Sequence, residues 1–434
     1  MENELAILGA ALLVAGIFAR FGRKVGLPSI PFFIVAGIVF GPHTPGAVIL
    51  DDPDSIHMLA MLGLVLLLFH LGLEFSVDDL LEGGRKLLWA GGAYIALNFG
   101  AGLVLGFALG WGTPEMFVVA GMIGTSSTAI VTKLLLDLKR ISNPETGMIL
   151  GIIVVEDVFL AFYLALLAPI IGDSEGTAET VLAVGVAMGF LLGLFALARW
   201  GARVVRPVID AGDSELTTVL LVGFGVFVAG FAHSAGASEA VGALLAGMVV
   251  AGAGLGRRLE RLIVPLRDVF AAIFFFWFGM TIAPSALGSI ALPVAVAVVV
   301  TVIFNVIAGI VATRVYGYGR EAATNTALLL MSRGEFELIL ASLAVAAGLD
   351  SRVAPFAALY VLVLSILSPV SSAHSPRLAR MLPARWFSAP LPVAVVSGDD
   401  RPAERPGGGD PGDAGDPRRG GERREGSPAA AGSR

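Results

Sequence analysis

The chain has 434 residues, 56% of them hydrophobic and only 15% charged, with a mean hydropathy of +0.84. That balance excludes an ordinary soluble domain and fits a polytopic helical membrane protein. With no cysteine, disulfides, thiolate metal sites and cysteine nucleophiles are excluded, and the net charge of −6 says less than how the charges are distributed.

The N-terminus, MENELAILGAALLVAGIF, is acidic ahead of its apolar run. A cleaved signal peptide has the opposite order, so this reads as the first span. Thirteen spans are expected, near 4–20, 27–41, 56–74, 87–110, 114–135, 146–171, 180–199, 216–232, 238–255, 268–283, 290–313, 322–348 and 353–372. Loops after odd-numbered spans carry 20 basic residues, among them Arg23, Lys24, Lys139, Arg140, Arg261 and Arg377, and the others carry only Arg352. The positive-inside rule then puts the N-terminus outside and the C-terminus in the cytoplasm. Residues 1–374 form the transmembrane domain. Residues 375–434 form a cytoplasmic tail, expected to be disordered from about 388 because it is rich in Gly, Pro, Arg and Asp.

Several spans carry polar groups. Span 3 holds His70, and a lone histidine is more often a core residue than a proton shuttle. Span 4 holds Asn98 and span 11 holds Asn305, where helix packing and function are equally good readings. Span 5 contains Thr125, Ser126, Ser127 and Thr128 after Gly124. A helix broken there exposes hydroxyl and carbonyl oxygens, hard neutral ligands suited to an alkali cation, although Ser and Thr also back-bond to the preceding turn.

Glu156 and Asp157 lie in GMILGIIVVEDVFLAFYLALLAPIIG, residues 147–172, as its only charged groups. One acidic side chain at the centre of a span costs roughly 2.5–3.5 kcal/mol on insertion scales, so the pair demands a proton, a cation or a counter-charge. The two neighbours point about 100° apart on a helix; Asp157 is the favoured ion ligand and Glu156 a structural or tuning neighbour. In span 12, Arg333, Glu335 and Glu337 read as a structural network or charge partners, with Arg333 a candidate counter-charge to the carboxylate pair.

The halves resemble each other at an offset of 207 residues. LLLFHLGL (66–73) lies over IFFFWFGM (273–280), and LNFGAG (97–102) over FNVIAG (304–309), pairing Asn98 with Asn305. Seven spans separate the copies, an odd number, so the repeats, about 1–172 and 216–372, are inverted. The same offset puts GTSSTAIV (124–131) over MSRGEFEL (331–338), two polar interruptions at matching positions. Discontinuous helices so placed point to a transporter binding site. Span 13 carries Val363 and Leu364 at the offset positions of Glu156 and Asp157, so only one half holds the charge. The expected fold is therefore all-α, about thirteen transmembrane helices in inverted repeats with two discontinuous helices.

No phosphate-binding glycine loop, metalloenzyme spacing or Ser–His–Asp set stands out; neither an enzyme, a cofactor nor a nucleic-acid partner is expected. Cation/proton antiport is the leading function. A cation channel and a proton- or sodium-coupled symporter of an organic solute are the alternatives.

The segments PFFIVAGIVFGP (31–42), GLVLLLFHLGLEF (63–75), GTSSTAIVTKLL (124–135), VEDVF (155–159), GALLAGMVVA (242–251), DVFAAIFFFWFGM (268–280) and SRGEFELIL (332–340) resemble, in order, the monovalent cation:proton antiporter family of Kef and Nap type. The resemblance implies that the two discontinuous helices, spans 5 and 12, are crossed near the site, and it implies a dimerisation panel and a mobile core, a homodimer in the bacterial inner membrane and lipid, and exchange of K⁺ or Na⁺ for H⁺. Asp157 matches the family's ion- and proton-binding aspartate, where the alkali cation would bind. The hydroxyl run matches the unwound segment beside it. Asn305 stands where many members have a lysine, which speaks against electrogenic mechanisms built on that lysine. The attached nucleotide-binding domain of full-length Kef proteins is missing, which favours a separate cytoplasmic regulatory subunit.

Overall fold

The computed structural model describes residues 4–387, apart from 25, 45–47, 51, 75–83, most of 172–211, 235–238 and 254–255. The span expected at 180–199 and the tail beyond 387 lie outside the described residues.

All regular structure among the described residues is helical. The helices are α1 (Glu4–Lys24), α2 (Ile30–Phe40), α3 (His57–Glu74), α4 (Gly84–Ala108), α5 (Thr113–Gly124), α6 (Thr128–Asp137), α7 (Thr146–Ile171), α8 (Ser214–Ser234), α9 (Glu239–Gly252), α10 (Gly256–Met280), α11 (Pro284–Tyr316), α12 (Arg320–Leu330), α13 (Glu335–Ala346), α14 (Val353–Ala373) and α15 (Ser375–Ala379). Nine segments among the described residues are long and apolar enough to cross a membrane, α5 with α6 counting as one. The short apolar helices α2 and α9 and the broken pair α12–α13 account for three more of the expected spans. α11 ends where Gly317 takes φ +77, its N–H meeting the Arg314 carbonyl while the Tyr318 N–H meets that of Thr313. A left-handed residue with this pair of bonds closes a helix and suits glycine.

The helices form two groups. In the first, α3 packs on α9 and α10, α10 on α2, and α8 on α9. In the second, α4 packs on α5 and α11, α11 on α12 and α14, and α13 on α14 and α5.

Glycine sets the first group's crossings. A Cβ at Gly72 would run into the Leu244 carbonyl, and one at Gly247 into that of Phe69. Likewise Gly37 faces the Phe276 carbonyl and Gly279 that of Ile34. Gly72 and Gly279 are related by the repeat offset. These crossings are therefore one contact made twice, α3 on α9 and α10 on α2, as interlocked inverted copies require. Small residues let membrane helices approach closely where apolar burial gives no net drive. Gly247→Ala should force α3 and α9 apart at a cost of about 1–3 kcal/mol. Thermal unfolding in detergent should register a lower midpoint; an unchanged one would contradict this packing.

In the second group the pseudo-axis passes between α4 and α11. Asn305 Nδ2 donates to Asn98 Oδ1 at 3.1 Å. Each amide also donates one turn back, Asn98 to the Tyr94 carbonyl at 3.0 Å and Asn305 to that of Thr301 at 2.9 Å.

The bundle's ends sort as the alternation of charge requires. Loops after spans 5, 11 and 13 meet at one end: Arg140 donates to Ser375 Oγ at 2.8 Å, Tyr318 to the Pro144 carbonyl at 3.0 Å, and Arg314 Nε to the Trp386 carbonyl at 2.7 Å. At the other end the Asp350 N–H donates to Glu115 Oε1 at 3.1 Å. There hydrogen bonds from Arg352 hold the Asp350 carboxyl below the usual carboxylate range.

Candidate ion site at two crossed helix breaks

Both interruptions read from the sequence are breaks. α5 stops at Gly124, Thr125 is extended at φ −122, ψ 155, and α6 restarts at Thr128 behind Ser127 at φ −88, ψ 109. α12 stops at Leu330 and α13 restarts at Glu335. The linking strands cross: the Ser127 N–H donates to the Ser332 carbonyl at 3.1 Å, and Ser127 presses on Gly334, leaving no room for a Cβ there.

The two breaks together expose two helix C-termini, carrying partial negative charge, and two N-termini, carrying partial positive charge. Arg333, 0% exposed, serves the C-termini. Its Nη2 donates to the Ile123 carbonyl at 2.8 Å, and its Nη1 to those of Leu330 at 2.8 Å and Ser332 at 3.1 Å. Ile123 and Leu330 are 207 residues apart, so one guanidinium holds the same position in both repeats. Its ion pair is with Glu337, Nε to Oε1 at 3.7 Å, rather than with Asp157.

The N-termini meet carboxylates. Glu156, 1% exposed, accepts the Ser126 N–H at 2.8 Å and the Ser126 hydroxyl on the same oxygen. Glu337 turns back to accept the Gly334 N–H at 2.7 Å. Anionic groups at helix N-termini are stabilised by the dipole and by the free N–H groups.

The four hydroxyls divide. Thr125 back-bonds to the Gly121 carbonyl at 3.1 Å, Ser126 serves Glu156, and Ser127 donates to Glu335 Oε2 at 3.1 Å. Thr128 lies at 3.4 and 3.5 Å from the Asp157 oxygens. Asp157 is half-buried, and these long contacts are its hydrogen bonds. Among the described residues no cation lies in ion-pair contact with it. The carboxylates of Glu74 and Glu335 are within Coulombic range. Asn305 does not substitute for a lysine partner, because its amide is engaged: Asn98 and Thr301 take its protons, and the Tyr94 hydroxyl lies 2.6 Å from its Oδ1.

Sequence reading missed the supports around the breaks. The Tyr94 hydroxyl also reaches the Leu330 carbonyl at 2.8 Å, and Thr301 pairs with Tyr360 at 2.6 Å. At one bundle end Glu145 Oε1 accepts from Asn143 at 3.0 Å and Asn325 at 2.6 Å, and Ser375 donates to Asn325 Oδ1 at 2.7 Å. All but the Asn143–Glu145 bond join residues far apart in sequence.

Interlocked inverted repeats with two crossed helix breaks, and among the described residues a carboxylate there without a cation partner, define a polytopic secondary transporter. The chain belongs to the transmembrane sodium/hydrogen exchanger family, which matches residues 9–373. It is 40% identical over 388 residues to the K(+)/H(+) antiporter subunit KhtU of Bacillus subtilis, covering 88% of this chain and 96% of that protein. The ammonium/H(+) antiporter subunit AmhT of Alkalihalophilus pseudofirmus is 29% identical over 386 residues, 87% of this chain and 94% of its own. The sodium proton antiporter MjNhaP1 of Methanocaldococcus jannaschii shares the fold at a TM-score of 0.65 and 16% identity, over 87% of this chain and 99% of that one.

Proposed function

We propose that the protein exchanges a monovalent cation, K⁺ in the first instance, for a proton at Asp157. The observation that carries this reading is the division of charges at the breaks. Arg333, Glu156 and Glu337 each hold helix termini, whereas Asp157 is half-buried with only long bonds from Thr128. An ionised carboxylate left alone in a low-dielectric passage is costly to move. The site therefore crosses the membrane loaded with either a proton or a cation, and obligatory exchange follows. Thr128, with Ser127 and Glu335 beside it, supplies further oxygens. K⁺ is preferred to Na⁺ because the 40%-identical relative is named for K⁺.

One titrating carboxylate with no lysine partner gives one cation for one proton, so exchange should be electroneutral. Proton flux into proteoliposomes, driven in turn by K⁺, Na⁺ and Li⁺, tests both points. The expected result is the largest flux with K⁺ and the same rate with the membrane potential clamped at zero or at a negative value. A rate that follows the potential would refute the one-for-one stoichiometry, and absence of flux with every cation would refute the exchange.

KhtU and AmhT are both named as subunits. A separate cytoplasmic polypeptide is accordingly proposed to regulate this chain. A homodimer in the bacterial plasma membrane with the N-terminus outside completes the reading, the orientation resting on the 20-to-1 bias of basic residues.

A further inference from the structure

We propose that His70, Glu74 and Glu260 bind a divalent transition-metal ion between the end of α3 and the start of α10. One ligand atom from each residue lies within 4.8 Å of the others. His70 and Glu74, at i and i+4, share a helix face, and Glu260 comes from the second repeat, which is why no spacing in the sequence revealed the group.

The state of the imidazole points to a ligand. His70 is 3% exposed, in the buried stretch of α3 from Gly63 to Leu73. A neutral ring has one donor and one acceptor nitrogen. Its hydrogen-bonding neighbour is Arg267 Nη1, 3.1 Å from both nitrogens, and a guanidinium only donates. It can satisfy the ring's lone pair but not its N–H. The carboxylates stand at 3.7 Å (Nδ1 to Glu74) and 4.0 Å (Nε2 to Glu260), beyond hydrogen-bond reach. Among the described residues a buried ring N–H is thus left without an acceptor, while an oxygen of each glutamate lies within 4.8 Å of one ring nitrogen.

A metal resolves this. Bonds of about 2.0–2.2 Å in tetrahedral geometry place ligand atoms roughly 3.3–3.6 Å apart, so the group, whose ligand atoms lie within 4.8 Å of one another, closes on the ion by side-chain rotation of the two glutamates. One ring nitrogen binds the ion and the other can donate to a carboxylate, the usual arrangement around a metal-bound histidine. Arg267 must withdraw Nη1. Its charge stays balanced, because Nη2 and Nε already hold Asp268 at 2.6 and 3.0 Å. An imidazole with two carboxylates suits Zn²⁺ or a similar borderline ion better than K⁺, Na⁺ or Mg²⁺. Glu74 is also within Coulombic range of Asp157. A dication bound there should slow exchange, a consequence that rests on the proposed role of Asp157 as the binding itself does not.

The test is Zn²⁺ titration calorimetry on the full chain in detergent, comparing wild type, His70→Ala, Glu260→Gln and Asp157→Asn. Binding weakened at least about tenfold in the two ligand variants and retained in Asp157→Asn is the expected result. Glu260→Gln alters a partly exposed side chain and keeps the comparison valid if His70→Ala does not fold. Equal affinity in all four proteins, or loss in Asp157→Asn as well, would overturn the site. In proteoliposomes, Zn²⁺ that halves wild-type exchange should leave Glu260→Gln active; equal inhibition of both would overturn the link to transport.

Discussion

Reconstituted Asp157→Asn protein will fold, insert and show no cation-driven proton flux above that of empty liposomes. The amide has nearly the shape of the carboxylate and removes only its charge and its proton. Little native structure depends on Asp157, whose bonds from Thr128 are 3.4 and 3.5 Å long, at the weak end of the hydrogen-bond range. Thermal unfolding should therefore move little while transport disappears. Glu156→Gln sharpens the comparison. The Ser126 N–H and hydroxyl both point at one Glu156 oxygen, and a glutamine carbonyl can accept them in the same way. Exchange should persist at a reduced rate, since the α6 N-terminus loses a full charge and keeps its hydrogen bonds. Asp157→Asn protein that exchanges at the wild-type rate would end the assignment, and the reverse ranking of the two variants would move it to Glu156.

Hydropathy and the repeat made the scaffold legible. The breaks were legible because GTSST and MSRGE each place polar or helix-breaking residues in the middle of an apolar span, at one offset. The asymmetry of the carboxylate pair was legible too, because neighbours on a helix face different ways. What stayed hidden was which charge meets which pole. Arg333 reads as a counter-charge to acidic side chains when only side chains are considered. Besides Glu337 its partners are backbone carbonyls of α5 and α12 and of the linker after α12, and carbonyls carry no letter in the sequence. The glycine crossings were half visible. The repeat aligns Gly72 with Gly279, whereas contact joins Gly72 to Gly247 and Gly37 to Gly279, pairs that alignment of like with like cannot produce.

The role given to Arg333 makes the second large prediction. Arg333→Met keeps much of the side chain's length and apolar stem and removes the guanidinium. The Ile123 carbonyl then loses its donor in a site without exposure, those of Leu330 and Ser332 keep only the Tyr94 hydroxyl and the Ser127 N–H, and Glu337 loses the cation at 3.7 Å. Breaking a buried ion pair from one side costs about 3–5 kcal/mol because the remaining charge is stranded, and the unsatisfied Ile123 carbonyl adds about 1–3 kcal/mol where nothing replaces the donor. The variant should be poorly folded in detergent, with a much lower unfolding midpoint and no exchange. Arg333→Lys should recover only part of the loss, since an ammonium is a compact point charge and does not span carbonyls from two helices as the planar fork does. Removing the acid as well separates the two terms. Arg333→Met with Glu337→Gln leaves no stranded carboxylate, so it should be more stable than Arg333→Met alone while still lacking the donor to Ile123 and Leu330. If the double variant matched wild type in stability, the guanidinium would be balancing Glu337 alone, and its hold on the two helix C-termini would carry no weight. If Arg333→Met alone matched wild type, neither role would stand.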